Sequence, residues 1–432
     1  MLVLLADDIG VDKIGAYGEH PGAPPTPNID ALAARGVLFR NAYASPLCSP
    51  SRAALLTGRY PRRYGLGDRL HMRAERYEVP LSELSLPEAL ERSPIDYDQA
   101  AVGKWHLSAF NSPSGGQHPL LFGFRWYAGS FANLNTTNIP EAPRGTYEHW
   151  EKNTNGIFSF SYTYATTDTV NDALERIQAL RSPWFLWVAF NASHRPFHEP
   201  PPGLHTRPSL ETDIERFDAA TEALDTEIGR LLNSMNEETF ARTTIIFLSD
   251  NGTPKAAKAP PLDPSHSKGT LYEGGINIPL IISGPAVKEP GAESAALVHV
   301  VDVFATVADL AGVDVARLEN EHGAQLTIDG ISLLPYLEDP ALPSQREFVF
   351  QDVFTPNGPG PYRSDRRMLR NQRYKLVQSV ETGDAFFDLH GRVDDGPDLL
   401  GSLNDEQQAA YESLRAALAD TLLRLQSSDG ER

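Results

Sequence analysis

The chain has 432 residues, and its 38 Lys and Arg against 57 Asp and Glu give a formal charge of −19. That balance excludes a general nucleic-acid binder, which needs a basic surface, and a single cysteine, Cys48, excludes an internal disulfide framework. The length suffices for one large domain with an appendage, and every apolar run is short and interrupted, so no membrane span is expected.

In chain order, Leu2 to Ala6 is an unbroken apolar run that stops at Asp7 and Asp8, the pattern of a fully buried parallel strand. It leaves no room for a basic leader and cleavage site. A chain that truly starts at Met1 is expected in the cytoplasm, and one whose leader has been removed in the periplasm or outside the cell. Thr26 and Pro27 open a short helix marked by Ile29, Leu32 and Ala33 and closed by Gly36; Val37 to Tyr43 reads as a strand. Cys48 stands just ahead of a helical pattern, Ser51 to Thr57, that ends at Gly58. The N-terminus of a helix presents unpaired N–H groups and the positive end of its dipole, so the thiol site should favour anions. Lys104 and His106 alternate on an extended segment and should share a face.

Residues 107–165 are rich in Gly, Asn, Thr and aromatics without helical periodicity. Trp126, Tyr127 and Trp150 within them either stack on a sugar or aryl ring or pin the segment to the body. A helix is predicted over 168–180, a buried strand over Trp184 to Phe190, and a helix through Phe217, Ala220, Leu224, Ile228 and Leu231. Thr244 to Leu248 is a second apolar run, followed by Ser249, Asp250, Asn251 and Gly252. Residues 253–267 read as a mobile loop leading to Lys268. A strand over Ile278 to Ile282 and a helix from Val300 to Leu310 follow. Strands alternating with helices predict an α/β fold, a large mostly parallel sheet sandwiched by helices. From 343 the pattern changes to short strands at Phe348–Asp352, Met368–Arg370, Tyr374–Gln378 and Phe386–Asp388, then a helix near 405–425. The expected division is a large α/β domain over 1–342 and a small α+β subdomain, antiparallel sheet plus helix, over 343–432.

In open parallel sheets, ligands bind beyond the carboxyl ends of the strands. If the two apolar strands lie side by side, Asp7, Asp8, Asp250 and Asn251 meet at one edge. Three carboxylates and an amide oxygen repel one another unless a cation joins them, and hard oxygen donors suit Ca²⁺ or Mg²⁺. Either cluster alone reads as an ordinary loop start; both together favour a metal.

Cys48-x-Pro50-x-Arg52 followed by Leu55-Leu56-Thr57-Gly58-Arg59 resembles the signature of the type I sulfatases, of the alkaline phosphatase superfamily. The resemblance extends through Leu5-Ala6-Asp7-Asp8-Ile9-Gly10, Thr26-Pro27-Asn28-Ile29-Asp30, Gly103-Lys104-Trp105-His106-Leu107, His194-Arg195-Pro196, Ser249-Asp250-Asn251-Gly252 and Lys268-Gly269-Thr270, which stand in family order from residue 2 to about 310. It implies an alkaline phosphatase-like fold and a sulfuric ester hydrolase in which a maturation enzyme converts Cys48 to formylglycine. A hydrated aldehyde carries two hydroxyls on one carbon: one attacks sulfur and expels the alcohol, and the other then loses its proton to release sulfate, without water attacking sulfur.

The resemblance also implies roles. Asp7, Asp8, Cys48, Asp250 and Asn251 hold one divalent cation, Ca²⁺ before Mg²⁺. Arg52, one helical turn after Cys48, steadies the hydrate; Lys104 lies near hydrate and sulfate; His106 is the base. His194 and Lys268 bind sulfate oxygens or protonate the leaving oxygen. His198 competes with His194, and only the His-x-Pro spacing separates them. Arg363, Arg366 or Arg367 of the C-terminal subdomain would touch substrate. The expected substrate is a sulfated small molecule or carbohydrate, with no nucleic-acid or membrane partner. A phosphonate or phosphate ester hydrolase on the same scaffold, and a non-catalytic relative with an unmodified thiol, are the alternatives.

Overall fold

The computed structural model describes residues 1–139, 141–142, 144–319 and 323–426. Among them, ten strands form one sheet: β1 (Leu2–Ala6), β2 (Gly36–Tyr43), β3 (Asp98–Gly103), β4 (Tyr127–Gly129), β5 (Trp150–Thr154), β6 (Ile157–Ser161), β7 (Trp184–Ala189), β8 (Ile245–Ser249), β9 (Leu280–Ser283) and β10 (Ala292–His299). Their order is β10-β2-β9-β8-β1-β7-β3-β4-β5-β6. The central run β8-β1-β7-β3-β4 is parallel, as is β2 with β10; β9, β5 and β6 run antiparallel to their neighbours.

The first strand explains its own sequence. Leu2, Leu4 and Ala6 pack into one apolar core and Val3 and Leu5 into another. A strand covered on both faces has no solvent side, so it carries no polar alternation. Helices α1 (Pro27–Arg35), α2 (Cys48–Thr57), α3 (Ala165–Ala179), α4 (Asp213–Ser234) and α5 (Val301–Leu310) supply the covers. Ile29 of α1, Val170 of α3 and Phe217, Leu224 and Ile228 of α4 pack on one face; Ala53 to Leu56 of α2 and Val303, Phe304 and Val307 of α5 pack on the other. The predicted α/β sandwich is thus present.

A second sheet contains β11 (Val349–Thr355), β12 (Ser364–Arg370), β13 (Tyr374–Ser379) and β14 (Gly383–Asp388), antiparallel in that order. Helix α6 (Asp405–Gln426) lays Leu414, Leu418 and Leu425 into the same core as α2 and α5. No helix among the described residues is long and apolar enough to cross a membrane.

Several expectations need correction. Helix α2 begins at Cys48, not Ser51; Pro50 falls within its first turn, where a missing N–H costs nothing. Residues 107–165, which lack helical periodicity, contain β4, β5 and β6, which extend the main sheet. The 253–267 segment is pinned: Ala257 is fully buried and Lys258 pairs with buried Asp12 at 3.0 Å. Lys104 and His106 lie just past β3 rather than on a strand, with His106 at φ 61°. Two strands escape periodicity altogether. β3 (DQAAVG) and β10 (AESAALVH) are rich in Ala, a weak strand former, and tertiary pairing holds them in place.

His299, at the end of β10, is fully buried between the two sheets, with Nδ1 accepting from the Val301 N–H at 3.1 Å and Tyr60 edge-on at 4.9 Å. Burial first, and Arg346 second, hold its imidazole well below the ordinary histidine range. The unfolded chain therefore binds a proton that the folded one refuses. That contribution is complete above the unfolded pKa of about 6.5 and declines as pH falls towards the folded value. In His299→Gln, the loss of thermal stability between about pH 6.5 and 5 should be shallower than in the parent. Equal slopes would refute this assignment.

Candidate active site

Four adjacent strands deliver side chains to one sheet edge. β1 and β8 run parallel with Ala6 opposite Ser249, so Asp7-Asp8 and Asp250-Asn251 leave neighbouring strand ends together. On the other side of β1, Leu5 pairs with Ala189 of β7, whose following loop carries His194. Gly103 of β3 pairs with Ala189, and Lys104 and His106 follow. Gly103 has φ +91°, and a Cβ there would lie 1.8 Å from the Ala189 carbonyl oxygen, so only glycine lets the chain turn here. α2 then brings Cys48 and Arg52 onto this edge from one helical face.

The groups meet closely. Cys48 Sγ lies 3.5 Å from Asp7 Oδ1, 3.9 Å from Asp8 Oδ1 and 3.3 Å from Lys268 Nζ. Lys104 pairs with Asp7, and Lys268 with Asp8. Arg52 donates through Nε to Asp250 Oδ2 at 2.9 Å and through Nη1 to the Lys104 carbonyl at 2.9 Å. Asn251 Nδ2 donates to Asp8 Oδ1 at 2.9 Å. His194 Nε2 stands 4.0 Å from Asp8 Oδ2. All the sequence-predicted candidates, Asp7, Asp8, Cys48, Arg52, Lys104, His106, His194, Asp250, Asn251 and Lys268, therefore converge on one site.

Burial sets the electrostatics. Burial pushes the Asp8 carboxyl up, but Lys268, His194 and Lys104 more than offset it and hold it at about 2. The thiol behaves oppositely to the expectation from a helix N-terminus. Burial, then Asp250, push Cys48 up to about 12 against Lys104 and Lys268. A first-turn dipole is worth only about 0.3–1 kcal/mol, too little to offset desolvation beside carboxylates. Without a cation, burial beside the carboxylates therefore disfavours the thiolate at Cys48. His106 is held well below its usual range by burial, then Lys104 and Arg52. Its Nε2 lies 3.3 Å from the Leu70 carbonyl, which can only accept, so the buried, unpartnered Nδ1 is the free acceptor.

Part of the expected donor set is gathered here: Asp7, Asp8, Cys48 and His194 offer ligand atoms all within 4.8 Å of one another, whereas Asp250 is not in that cluster, its carboxylate being paired with Arg52. Asn251 Oδ1 beside them is buried without a hydrogen-bond partner, a position a cation would satisfy. Carboxylate and amide oxygens are donors for Ca²⁺ or Mg²⁺.

Outside this edge a cleft of about 590 Å³ opens, walled by Cys48, Asp8, His194 and Lys268 together with Arg69, His71, Arg73, Asn133 and Arg195. The candidate aromatics are not there. Trp150 and Tyr127 are buried, with Trp150 Nε1 donating to Thr163 O at 3.0 Å and the Tyr127 hydroxyl donating to the Gly103 and Ser130 carbonyls. Trp126 packs under Arg176. All three serve the body of the fold, because the strands they flank belong to the sheet. Arg363, Arg366 and Arg367 do not line the cleft either; Arg366 reaches the Gly269 carbonyl at 3.5 Å, and Arg367 pairs with Asp365.

The structure also separates the two histidines. His194 faces the cleft, whereas His198 stacks on Tyr147 at 3.8 Å and bonds the Tyr164 hydroxyl at 3.0 Å. Tyr147 is absent from the candidates drawn from the sequence, since nothing local marks it. Its buried hydroxyl lies 2.6 Å from the Asn191 carbonyl and 2.8 Å from that of His194. Tyr147→Phe leaves those carbonyls without their donor and should cost about 1–3 kcal/mol. Hydrogen exchange at the Ser193 and His194 amides should quicken; unchanged exchange would show that the loop is held otherwise.

Comparisons with known proteins agree with this geometry. The family model described as Sulfatase matches residues 1–313, and that described as N-sulphoglucosamine sulphohydrolase, C-terminal, matches residues 265–428. The N-acetylgalactosamine-6-sulfatase of Homo sapiens is 34% identical over 366 residues, covering 78% of this chain and 65% of its own length. Arylsulfatase A of Bos taurus is 31% identical over 372 residues, covering 78% and 67%. The chain therefore spans about two thirds or less of these relatives. The crystal structure of Ps i-CgsB superposes with a TM-score of 0.79 at 25% identity, covering 97% of this chain and 91% of that one. BT4656, solved with D-glucosamine-2-N,6-O-disulfate, gives 0.73 at 19% identity, covering 100% and 99%, and shares the fold. With one family model spanning residues 1–313 and its signature residues gathered at a single sheet edge, the chain belongs to the sulfatase family.

Proposed function

We propose that this chain hydrolyses sulfate monoesters to an alcohol and sulfate, with formylglycine at Cys48 and one divalent cation, Ca²⁺ before Mg²⁺, held by Asp7, Asp8, Asp250, Asn251 and residue 48. The observation that carries the reading is Cys48 Sγ, within 3.9 Å of Asp7, Asp8 and Lys268 at the floor of the cleft. When present, the aldehyde hydrate supplies a nucleophilic hydroxyl and the cation lowers the cost of its ionisation.

The chain's own residues do the rest. Lys268 at the cleft floor, and Lys104 behind it, offer ammonium donors to oxygens on sulfur, where charge shifts in the transition state. Arg52, locked between Asp250 and the Lys104 carbonyl, fixes the turn of α2 that presents residue 48. His106, neutral at physiological pH, accepts a proton at Nδ1. His194 donates Nδ1–H to the Arg195 carbonyl at 2.8 Å, which leaves Nε2 at the cleft wall to exchange a proton with the leaving oxygen. Conversion of Cys48 to formylglycine by a maturation enzyme is part of this proposal.

A panel of 4-nitrophenyl sulfate, phosphate and phenylphosphonate assayed with the matured protein tests the reaction class. The sulfate ester should show the highest kcat/KM; preference for either phosphorus ester would replace this proposal with its nearest rival. Relatives named for sugar sulfates support a carbohydrate sulfate as the natural substrate.

A further inference from the structure

The cleft does not end at the site. A second hollow of about 440 Å³ is lined by Arg73, Asn135, Thr136, Thr137, Ala142 and Arg144. It shares Arg73, Asn135 and Thr136 with the first, so the two form one groove with Arg73 at the joint. Its charge runs against that of the chain. Among the described residues, the only carboxylate on its walls is Asp8, already paired with Lys268.

Some exposed arginines elsewhere have acidic partners, such as Arg125 with Asp96 at 3.2 Å, Arg373 with Asp388 at 2.8 Å and Arg392 with Asp394 at 2.7 Å, while Arg35, Arg76, Arg92 and Arg363 are exposed without one among the described residues but line neither hollow. Arg69, Arg73 and Arg144 are exposed, and none forms a salt bridge among the described residues. Arg73 is nonetheless ordered, its guanidinium donating to the Thr137 and Ile139 carbonyls. In a chain of net charge −19, three arginines along one groove that form no ion pair among the described residues leave guanidinium capacity for an anion from outside, although Arg73 also feels the Glu151 carboxylate. A compact aryl sulfate would use none of it and, among the described lining residues, would meet no Phe, Tyr or Trp to stack upon.

We propose that the substrate is an extended polyanionic glycan, and that Arg73 and Arg144 bind a sulfate or carboxylate on a sugar adjoining the one that carries the scissile ester. This deepens, and rests on, the reading of Cys48 as the point of cleavage. Guanidinium groups hold such anions through paired N–H donors, and the remote anion would fix which ester reaches the site floor.

Binding tests the proposal without requiring turnover. Fluorescein-labelled heparin tetrasaccharide and labelled maltotetraose are titrated with the full chain and followed by anisotropy, while 4-nitrophenyl sulfate hydrolysis separately reports the reaction class. The anionic tetrasaccharide should bind, more weakly as salt is raised, and the neutral one should not. Loss of one charge-assisted contact in Arg144→Gln should weaken binding about tenfold. Arg144 has no hydrogen-bond or ion-pair partner among the described residues, so that variant removes only charge. Arg73→Gln should weaken binding at least as much, and Arg317→Gln, 85% exposed on another part of the surface, should not. Equal binding of the two sugars, binding of neither, or parent-like affinity in both groove variants would overturn the proposal.

Discussion

Replacing Cys48 by alanine is expected to abolish ester hydrolysis, a loss of about 10⁴-fold or more, as removal of a catalytic nucleophile does elsewhere. The fold should survive. Cys48 occupies the first turn of α2, where alanine is accepted, and its thiol contributes only sulfur contacts near 3.3–3.9 Å. Removing a buried, high-pKa thiol from beside three carboxylates leaves no charge unpaired, since Lys104, Lys268 and Arg52 still face Asp7, Asp8 and Asp250. The denaturant midpoint of Cys48→Ala should therefore match that of the parent within about 1 kcal/mol. Mass spectrometry of the peptide Asn41–Arg52 gives the companion result: in active protein, sulfur is exchanged for oxygen and two hydrogens are lost. Full activity in a preparation whose peptide retains the thiol, or in the alanine variant, would remove residue 48 from the chemistry.

Lys375→Met is expected to cost about 3–5 kcal/mol, the largest stability effect among those considered, because it strands buried carboxylates. Lys375 Nζ sits 3.0 Å from Glu273 Oε1 and 2.6 Å from Asp395 Oδ1, and is fully buried. Glu273 also accepts from Tyr43 at 2.8 Å and faces Arg370 at 3.5 Å. Burial pushes the Glu273 carboxyl up, but Lys375 and Arg370 outweigh it and hold it down. The network joins β13 of the small sheet to the segment just after Lys268, so the same variant should loosen the Lys268 turn. Arg373→Met supplies the contrast: its pair with Asp388 is solvent-exposed, and its loss should leave the midpoint close to that of the parent. Equal midpoints for the two variants would show that the Lys375 network contributes nothing to stability.

Legibility in the amino-acid sequence tracks the physical strength of each signal. Strands covered on both faces announce themselves as continuous aliphatic runs, so β1, β7 and β8 are legible, as are α3 and α4 through their apolar stripes. Ala-rich β3 and β10 carry no such pattern and exist because neighbours pair with them. The aromatics of residues 107–165 mislead for a related reason. Trp126, Tyr127 and Trp150 look like a sugar platform in one dimension, but β4, β5 and β6 bind that segment into the sheet and turn its rings inward.

The sequence alone determined the identity of the site's chemical groups, because Cys48, its helical-turn partner Arg52 and two strand-end acidic pairs are local patterns written in the order of residues. The tertiary structure alone decided their electrical state and their surroundings. Only burial beside carboxylates shows that the metal-free site pushes the thiol up rather than down. Only the loop held by Tyr147 separates His194 from His198, and only the packing of distant segments sets Arg73 and Arg144 along one groove. Desolvation and long-range charge depend on what surrounds a group in space, and the chain order of residues hundreds of positions apart carries no record of that.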